Sequence, residues 1–491
     1  MKGVSLIVRP LLRFLGRLLL VLGAAQLVPT AVCIAYSEGT AAFAFVGTAL
    51  LTVGSGIACV VLGRGGKSST TELYRREGIL IVVAGWVMAS AFGALPYILT
   101  GTVTNPVDAL FESASGFTTT GASILTEIES NGRGILFWRS FTQWLGGMGI
   151  IVLFVALLPE LGAGARFLYK LEVPGPTAET LHPRVHDTAS VLWKLYLLLT
   201  AVQTSLLMMA GLDLYDALTH TFSTLSTGGF SPLNASAAGF SPSVHLILIV
   251  FMVLAGANFS LYCGLHQRRG WRNLIRDREL RFYLGLLATF SSAIALNLVW
   301  SGDYTHVSRA VLDGTFQVVS IVTTTGFATA DFDLWPNWSR ILLVGLMFVG
   351  GCAGSTAGGM KIMRLAIGLK SAAREVKLMF SPSSVVAVFI GDKAVPEPVV
   401  RSVVGFIILY FLAFGLGVGL LTAGGVDLET SATASIATLG NIGPGLHAVG
   451  PTGNFAGFAS FQKLVMVLLM WLGRLEVYAI ASLFAMSFWR R

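Results

Sequence analysis

"FESASGFTTTGAS", residues 111–123, is a polar, glycine-ended run set between two stretches apolar enough to cross a membrane. The 491-residue chain around it is 54% hydrophobic and only 12% charged, with 56 glycines and a mean hydropathy of +0.75. A soluble domain carries about 25% charged residues. Apolar runs of about eighteen residues or more recur along the chain, which makes it a polytopic integral membrane protein. Irregular backbone at membrane depth is tolerated only where protein buries it or where it lines a watery cavity. The question is what this run faces.

The expected spans are 14–35, 41–63, 78–100, 136–158, 190–211, 244–265, 281–301, 340–369, 402–423 and 463–487. From the third span onward each external loop carries the same element: an acid, a semi-apolar stretch, then Thr or Ser, one residue, and Gly. The copies are "DALFESASGFTTTG" (Asp108 to Gly121), "DALTHTFSTLSTG" (Asp216 to Gly228), "DGTFQVVSIVTTTG" (Asp313 to Gly326) and "ETSATASIATLG" (Glu429 to Gly440). Their glycines lie roughly a hundred residues apart, longer than any solenoid period. The spacing suits a helix, re-entrant loop, helix unit used four times. Four copies around one axis make the cavity that the polar run requires. The leading acid is placed to cap a short pore helix. The Thr-Thr-Gly carbonyls then turn to the axis, glycine admitting φ > 0 without a Cβ in the way. Rings of carbonyl oxygens replacing a hydration shell are how a potassium-selective filter works.

Charge placement orients the chain. Its net charge of +8 is concentrated in alternate loops, at Arg9, Arg13, Arg17, at Arg64, Lys67, Arg75, Arg76, at Arg166, Lys170, Arg184, from Arg268 to Arg281, and from Lys361 to Lys377. The other loops are mostly acidic. By the positive-inside rule the basic set and both termini are cytoplasmic, and nothing points to nucleic acid. Cys33, Cys59, Cys263 and Cys352 are scattered and suggest neither a disulfide framework nor a zinc site. The N-terminal apolar stretch lacks a cleavage pattern and reads as a retained helix. "GRGGKSS" at 63–69 has Val61 where a phosphate-binding loop needs glycine. The seven histidines form no H-E-x-x-H, and Ser355 is not in G-x-S-x-G.

Two features interrupt later spans. "GGCAGSTAGG", residues 350–359, holds five glycines in ten positions, and each costs about 1 kcal/mol against alanine inside a helix. It reads either as a break or as close helix packing through small residues. Arg474, in "LLMWLGRLEVYAI", is a charge at bilayer depth, which faces the protein interior or water. Glu476 is two residues on and off its helix face, so a partner on another helix is the alternative to a pore-facing role.

These residues resemble the Trk/Ktr/HKT superfamily of potassium transporters, most closely its bacterial TrkH-type branch. "SGFTTTGAS", "STLSTGGFSP", "TTTGFATADF", "GGCAGSTAGGMKIMR", "LGNIGPG" and "WLGRLEVYA" occur in family order. The resemblance implies an all-α polytopic membrane protein, four membrane-pore-membrane repeats around one pore plus two extra N-terminal transmembrane helices. The units are expected at 1–68 (helix pair), 69–170, 171–272, 273–385 and 386–491. It further implies a potassium-binding filter from Thr119, Thr120, Gly121, Ser226, Thr227, Gly228, Thr324, Thr325, Gly326, Thr438, Leu439, Gly440 and Asn441, with glycine at all four selectivity positions. A gate follows from Gly350, Gly351, Gly354, Ser355, Thr356, Gly358, Gly359 and Arg474. The implied function is potassium and rubidium uptake across the bacterial inner membrane. The implied assembly is a homodimer with a cytoplasmic nucleotide-binding, TrkA-type regulatory partner. Potassium is cargo at the filter, and no cofactor is expected in this chain. A proton- or sodium-coupled symporter is the first alternative. A membrane-embedded enzyme is the second, and it lacks clustered His and carboxylates at depth.

Overall fold

The computed structural model describes residues 2–64, 75–149, 185–263, 270–384, 386–391 and 393–489. Lys67, Arg166, Lys170, Arg184, Arg268, Arg269 and the far half of the span expected at 136–158 lie outside them. Helices dominate, and the strands among the described residues form a two-residue antiparallel pair, Phe389–Ile390 with Lys393–Ala394.

A helical hairpin comes first, Lys2–Gln26 continued by Val28–Ala35, then Gly39–Gly63. It closes through small residues: a methyl group on Gly16 would lie 2.6 Å from the Gly56 carbonyl oxygen, and one on Gly56 2.9 Å from that of Gly16. Such close backbone approach is how helices associate where lipid removes the hydrophobic drive. Gln26 then donates to the Phe92 carbonyl at 3.0 Å, tying the hairpin to the first repeat.

Four repeats follow, each a leading helix, a pore helix and a trailing helix. The leading helices are Arg75–Gly93, Val185–Met209, Arg278–Ser301 and Glu397–Ala423. The pore helices are Pro106–Phe117, Leu214–Leu225, Val307–Val322 and Leu428–Leu439, and the trailing helices are Arg133–Gly147, Pro242–Gly256, Asn337–Met347 and Ser460–Arg474. Leading helices and hairpin supply the six helices long and apolar enough to cross a membrane among the described residues. Their outward faces are apolar and open, as at Leu50, Leu296 and Leu416, where lipid would cover them. The pore helices are the inside of the fold: Phe111, Ala114, Phe316, Ile321, Ala434 and Leu439 are fully buried.

The structure departs from the sequence reading in two places. Each trailing helix has 15 residues or fewer, about 22 Å at 1.5 Å per residue, against a hydrocarbon core of about 30 Å. Only the third was expected to break. In the fourth, Ser460–Arg474 and Val477–Phe484 meet at a bend of 116°. The helix caps also sit earlier than the leading acids. Asn105, Asp213 and Asp427 accept the capping N–H groups of Val107, Asp216 and Thr430. Asp108, Asp216 and Glu429 lie inside the first turn, where a negative charge still meets the positive end of the dipole. Asp313 is deeper, buried mid-helix, with Arg309 at 2.8 Å and Thr329 at 2.9 Å.

Candidate functional site

The four pore helices end in one backbone geometry. After each C-cap comes a non-glycine residue in the left-handed region: Thr119 (φ 55), Thr227 (φ 56), Thr324 (φ 58) and Asn441 (φ 54). Two residues later comes a left-handed glycine: Gly121 (φ 80), Gly229 (φ 76), Gly326 (φ 81) and Gly443 (φ 102). The hydrogen bonds repeat too, with Thr120, Gly228, Thr325 and Ile442 each donating at 2.8 Å to the carbonyl five residues back. A β-branched residue at φ > 0 costs of order 1–3 kcal/mol and persists only where its surroundings over-determine it.

The segments close into a ring. A methyl group on Gly121 would collide with the Gly228 carbonyl oxygen, one on Gly229 with that of Thr325, and one on Gly326 with that of Ile442. One on Gly443 would stand 2.8 Å from the Thr120 carbonyl oxygen, which returns to the first repeat. The ring carbonyls are therefore those of Thr120, Gly228, Thr325 and Ile442. This shifts the register read from the sequence. Gly121 and Gly326 hold their positions, whereas Gly228 is matched by Thr120, and Gly440 by the C-caps Thr118, Ser226 and Thr323. Thr438 and Leu439 lie inside the last pore helix. Gly121, Gly229, Gly326 and Gly443 line one cavity of about 100 Å³ together with Arg139, Phe230, Asn234, Pro444 and Phe455.

Side chains brace the ring from behind. Glu112 and Arg139, 0% and 1% exposed, pair at 2.7 Å. Glu112 also accepts from Ser123 Oγ and the Ile124 N–H, both at 2.9 Å, while Arg139 reaches the Ser231 carbonyl at 3.1 Å and stacks over Phe230. One ion pair thus holds the segments beyond Gly121 and Gly229. Asn441 Nδ2 bonds Thr120 Oγ1 at 2.9 Å, joining the fourth repeat to the first. Gln143 clasps the second segment, donating to the Gly228 carbonyl at 2.6 Å and accepting from the Phe230 N–H at 3.0 Å.

Below the ring, residues 348–361 leave the helix between Met347 and Ile362 and fold against the pore-helix ends. The Gly358 N–H donates to Thr324 Oγ1 at 2.7 Å, and Thr356 Oγ1 to the Leu225 carbonyl at 3.0 Å. A methyl group on Gly358 would lie 2.8 Å from the Gly440 carbonyl oxygen. Gly354 and Gly359 are left-handed, Gly350 and Gly351 hydrogen-bond Met360 and Ile362, and Ser355 Oγ bonds the Cys352 carbonyl at 2.6 Å. Arg474 stands where the first three repeats have Gly147, Gly256 and Gly351 in register. Its guanidinium bonds the Thr356 carbonyl at 2.9 Å, Thr119 Oγ1 at 3.2 Å and the Gly146 carbonyl at 2.6 Å. It adds a charged donor at the end of the first trailing helix, where the Gly146 carbonyl also takes the Gly149 N–H. Glu476 turns away to pair with Arg364 at 2.8 Å.

A family model for TrkH, described as a cation transport protein, matches residues 52–490. The chain belongs to the TrkH cation transport family. It is 40% identical to the Trk system potassium uptake protein TrkH of Halomonas elongata over 98% of this chain and 99% of that one. It is 38% identical, with the same coverage, to the protein of that name from Escherichia coli K12. The crystal structure of the potassium transporter TrkH from Vibrio parahaemolyticus superposes with a TM-score of 0.87 at 36% identity, covering 98% of this chain and 99% of that one. Transport, not catalysis, is the business of such a TrkH chain.

What this TrkH-family site offers chemically is backbone oxygen. Among the described residues no group of three or more His, Cys, Asp or Glu is assembled to hold a metal ion. Sequence reasoning brought Thr119, Thr120, Gly121, Thr227, Gly228, Thr324, Thr325, Gly326 and Asn441 to the ring. It missed Gly229, Ile442, Gly443 and the braces Glu112, Arg139 and Gln143. "NIG" at 441–443 carried a usable signal, because asparagine, like glycine, tolerates the left-handed region.

Proposed function

We propose that the chain conducts potassium and rubidium inward across the bacterial inner membrane through this ring. The carrying observation is the closed circle of left-handed glycines set against the carbonyls of Thr120, Gly228, Thr325 and Ile442. Four pore helices point their negative ends at it, a cation-favouring field. The relatives named as potassium uptake proteins support potassium as the cargo. Potassium sheds its hydration shell against these oxygens and moves down its electrochemical gradient. Residues 350–359 and Arg474, crowded beneath the ring, hold passage closed until they shift. The basic loops and both termini lie in the cytoplasm, where a TrkA-type nucleotide-binding ring engages a homodimer. Among the described residues the fully buried acids, Glu112 and Asp313, are each committed to an arginine, which favours a channel-like path over proton coupling.

The test is rubidium-86 uptake into liposomes bearing the purified protein under a potassium gradient, competed with potassium and with sodium. Suppression by potassium but hardly by sodium is expected. Equal suppression by both removes the selectivity reading.

A further inference from the structure

The ring has four-fold backbone geometry but not four-fold chemistry. Among the described residues the carbonyls of Thr120, Thr325 and Ile442 accept no hydrogen bond, whereas that of Gly228 accepts one from Gln143 Nε2 at 2.6 Å. The amide orientation is set from both sides, because Gln143 Oε1 takes the Phe230 N–H at 3.0 Å. A side chain therefore imitates the neighbouring strand that a filter segment lacks.

Two substitutions in the sequence pattern make this possible, and they match. Gln143 is the eleventh residue of its trailing helix, and the eleventh residue of the other three is Met252, Met347 and Met470. All four are fully buried. At the ring position the other repeats have Thr120, Thr325 and Ile442, and only the second has glycine. A methyl group on Gly228 would lie 2.6 Å from Gln143 Oε1 and 2.7 Å from Nε2. The glycine vacates the space that the glutamine occupies.

We propose that Gln143 is a specificity-determining positioning residue of the filter. It does not touch the ion; it acts through the Gly228 carbonyl. Selectivity among alkali cations depends on the number and field strength of the coordinating carbonyls and on how far they can move. A carbonyl that already accepts an amide proton presents a weaker field to the ion, and a weak-field ring favours the larger, less tightly hydrated cation. The same bond pins the one ring residue whose backbone has no side chain to hold it. Removing it frees a stronger, more mobile oxygen, which sodium exploits. This inference rests on the potassium-filter reading above.

The experiment compares wild-type protein with Gln143→Met, which installs the residue found in the other three repeats, and with Gln143→Glu, which keeps the acceptor and the volume. Each is reconstituted and assayed for rubidium-86 uptake against graded sodium and potassium. In Gln143→Met sodium competition is expected to strengthen by about three- to ten-fold relative to potassium, the discrimination carried by one net hydrogen bond, whereas Gln143→Glu, whose buried carboxyl takes up a proton and can donate it to the Gly228 carbonyl, is expected to stay near wild type. Lower flux in Gln143→Met with an unchanged sodium-to-potassium ranking marks a packing role and overturns the proposal. Wild-type protein that fails to discriminate refutes the filter reading itself, so the two failures are distinct. A measurement needing no variant runs alongside: the side-chain amide resonance of Gln143 in glutamine-labelled wild-type protein shifts between potassium and sodium, and an invariant resonance overturns the proposal.

Discussion

Replacing Gly443 by alanine should abolish selective uptake, and replacing Gly440 should not. The two glycines are three residues apart, and both sit in the stretch "LGNIGPG". Gly443 has φ 102, and a methyl group there would stand 2.8 Å from the Thr120 carbonyl oxygen and 3.1 Å from the Gly121 carbonyl carbon. An L-residue held in that backbone region costs about 2 kcal/mol before any collision is counted. The collision is with ring backbone, so relief means displacing one of the four oxygens. Gly440 has φ −78, ordinary helical geometry, and a methyl group there would meet Ile442 Cδ1, the movable tip of a side chain, at 2.8 Å and the Ile436 carbonyl oxygen of its own last helical turn, not a ring oxygen, at 2.9 Å. Gly440 is the C-cap of its helix in a right-handed conformation that alanine adopts without backbone strain. A difference of about 2 kcal/mol corresponds to roughly thirty-fold in an equilibrium constant. Rubidium-86 uptake with sodium competition, on protein matched for yield and elution, reads that difference directly. If Gly440→Ala loses selectivity as completely as Gly443→Ala, the backbone register argued above is wrong.

Arg139→Leu leaves Glu112 buried and unpaired and is expected to cost about 3–5 kcal/mol, while Glu112→Gln with Arg139→Leu recovers part of it. Denaturation of the four proteins by SDS titration measures the coupling, and additive losses would contradict a buried pair. Arg474→Leu removes the bonds to Thr356, Thr119 and the Gly146 carbonyl, and should raise rubidium flux without altering the ion ranking. Flux at or below wild type argues against closure by Arg474. Asp427→Ala, which deletes a pore-helix cap, should lower thermal stability by about 1 kcal/mol. Glu429→Gln should cost less, because its pair with Arg340 is half exposed.

How much of this was legible in the sequence follows from what each signal measures. The repeat was legible because four membrane re-entries need four polar runs in an apolar chain, and composition alone exposes them. The register was not, because matching letters is not matching φ. "STG" and "TLG" look like "TTG", yet the left-handed positions fall on Thr227 and Asn441, so the equivalent glycines are Gly229 and Gly443. Where the first and third repeats share both letters and geometry, Thr118 with Thr120 and Thr323 with Thr325, the same hydroxyl pair forms at 2.7 Å.

The broken trailing helices show the deeper reason. Apolar residues flank Arg474 and Glu476 on both sides in "VLLMWLGRLEVYAI", so the two charges mark an interruption without announcing a bend. The bend is possible because groups freed there find partners elsewhere: Arg474 serves carbonyls of the first repeat, and Glu476 serves Arg364 of the third. A helix end is affordable at membrane depth only when its polar groups are satisfied by protein or water. Those partners are 328 and 112 residues away in sequence and become neighbours only once four repeats have closed on one axis. Arg474 and Gln143 carry the same lesson. Each occupies a position that its sister repeats fill with glycine or methionine, and each spends its polar groups on a neighbouring repeat. The departures from symmetry, rather than the symmetry, are where ion choice and closure are to be sought in this fold.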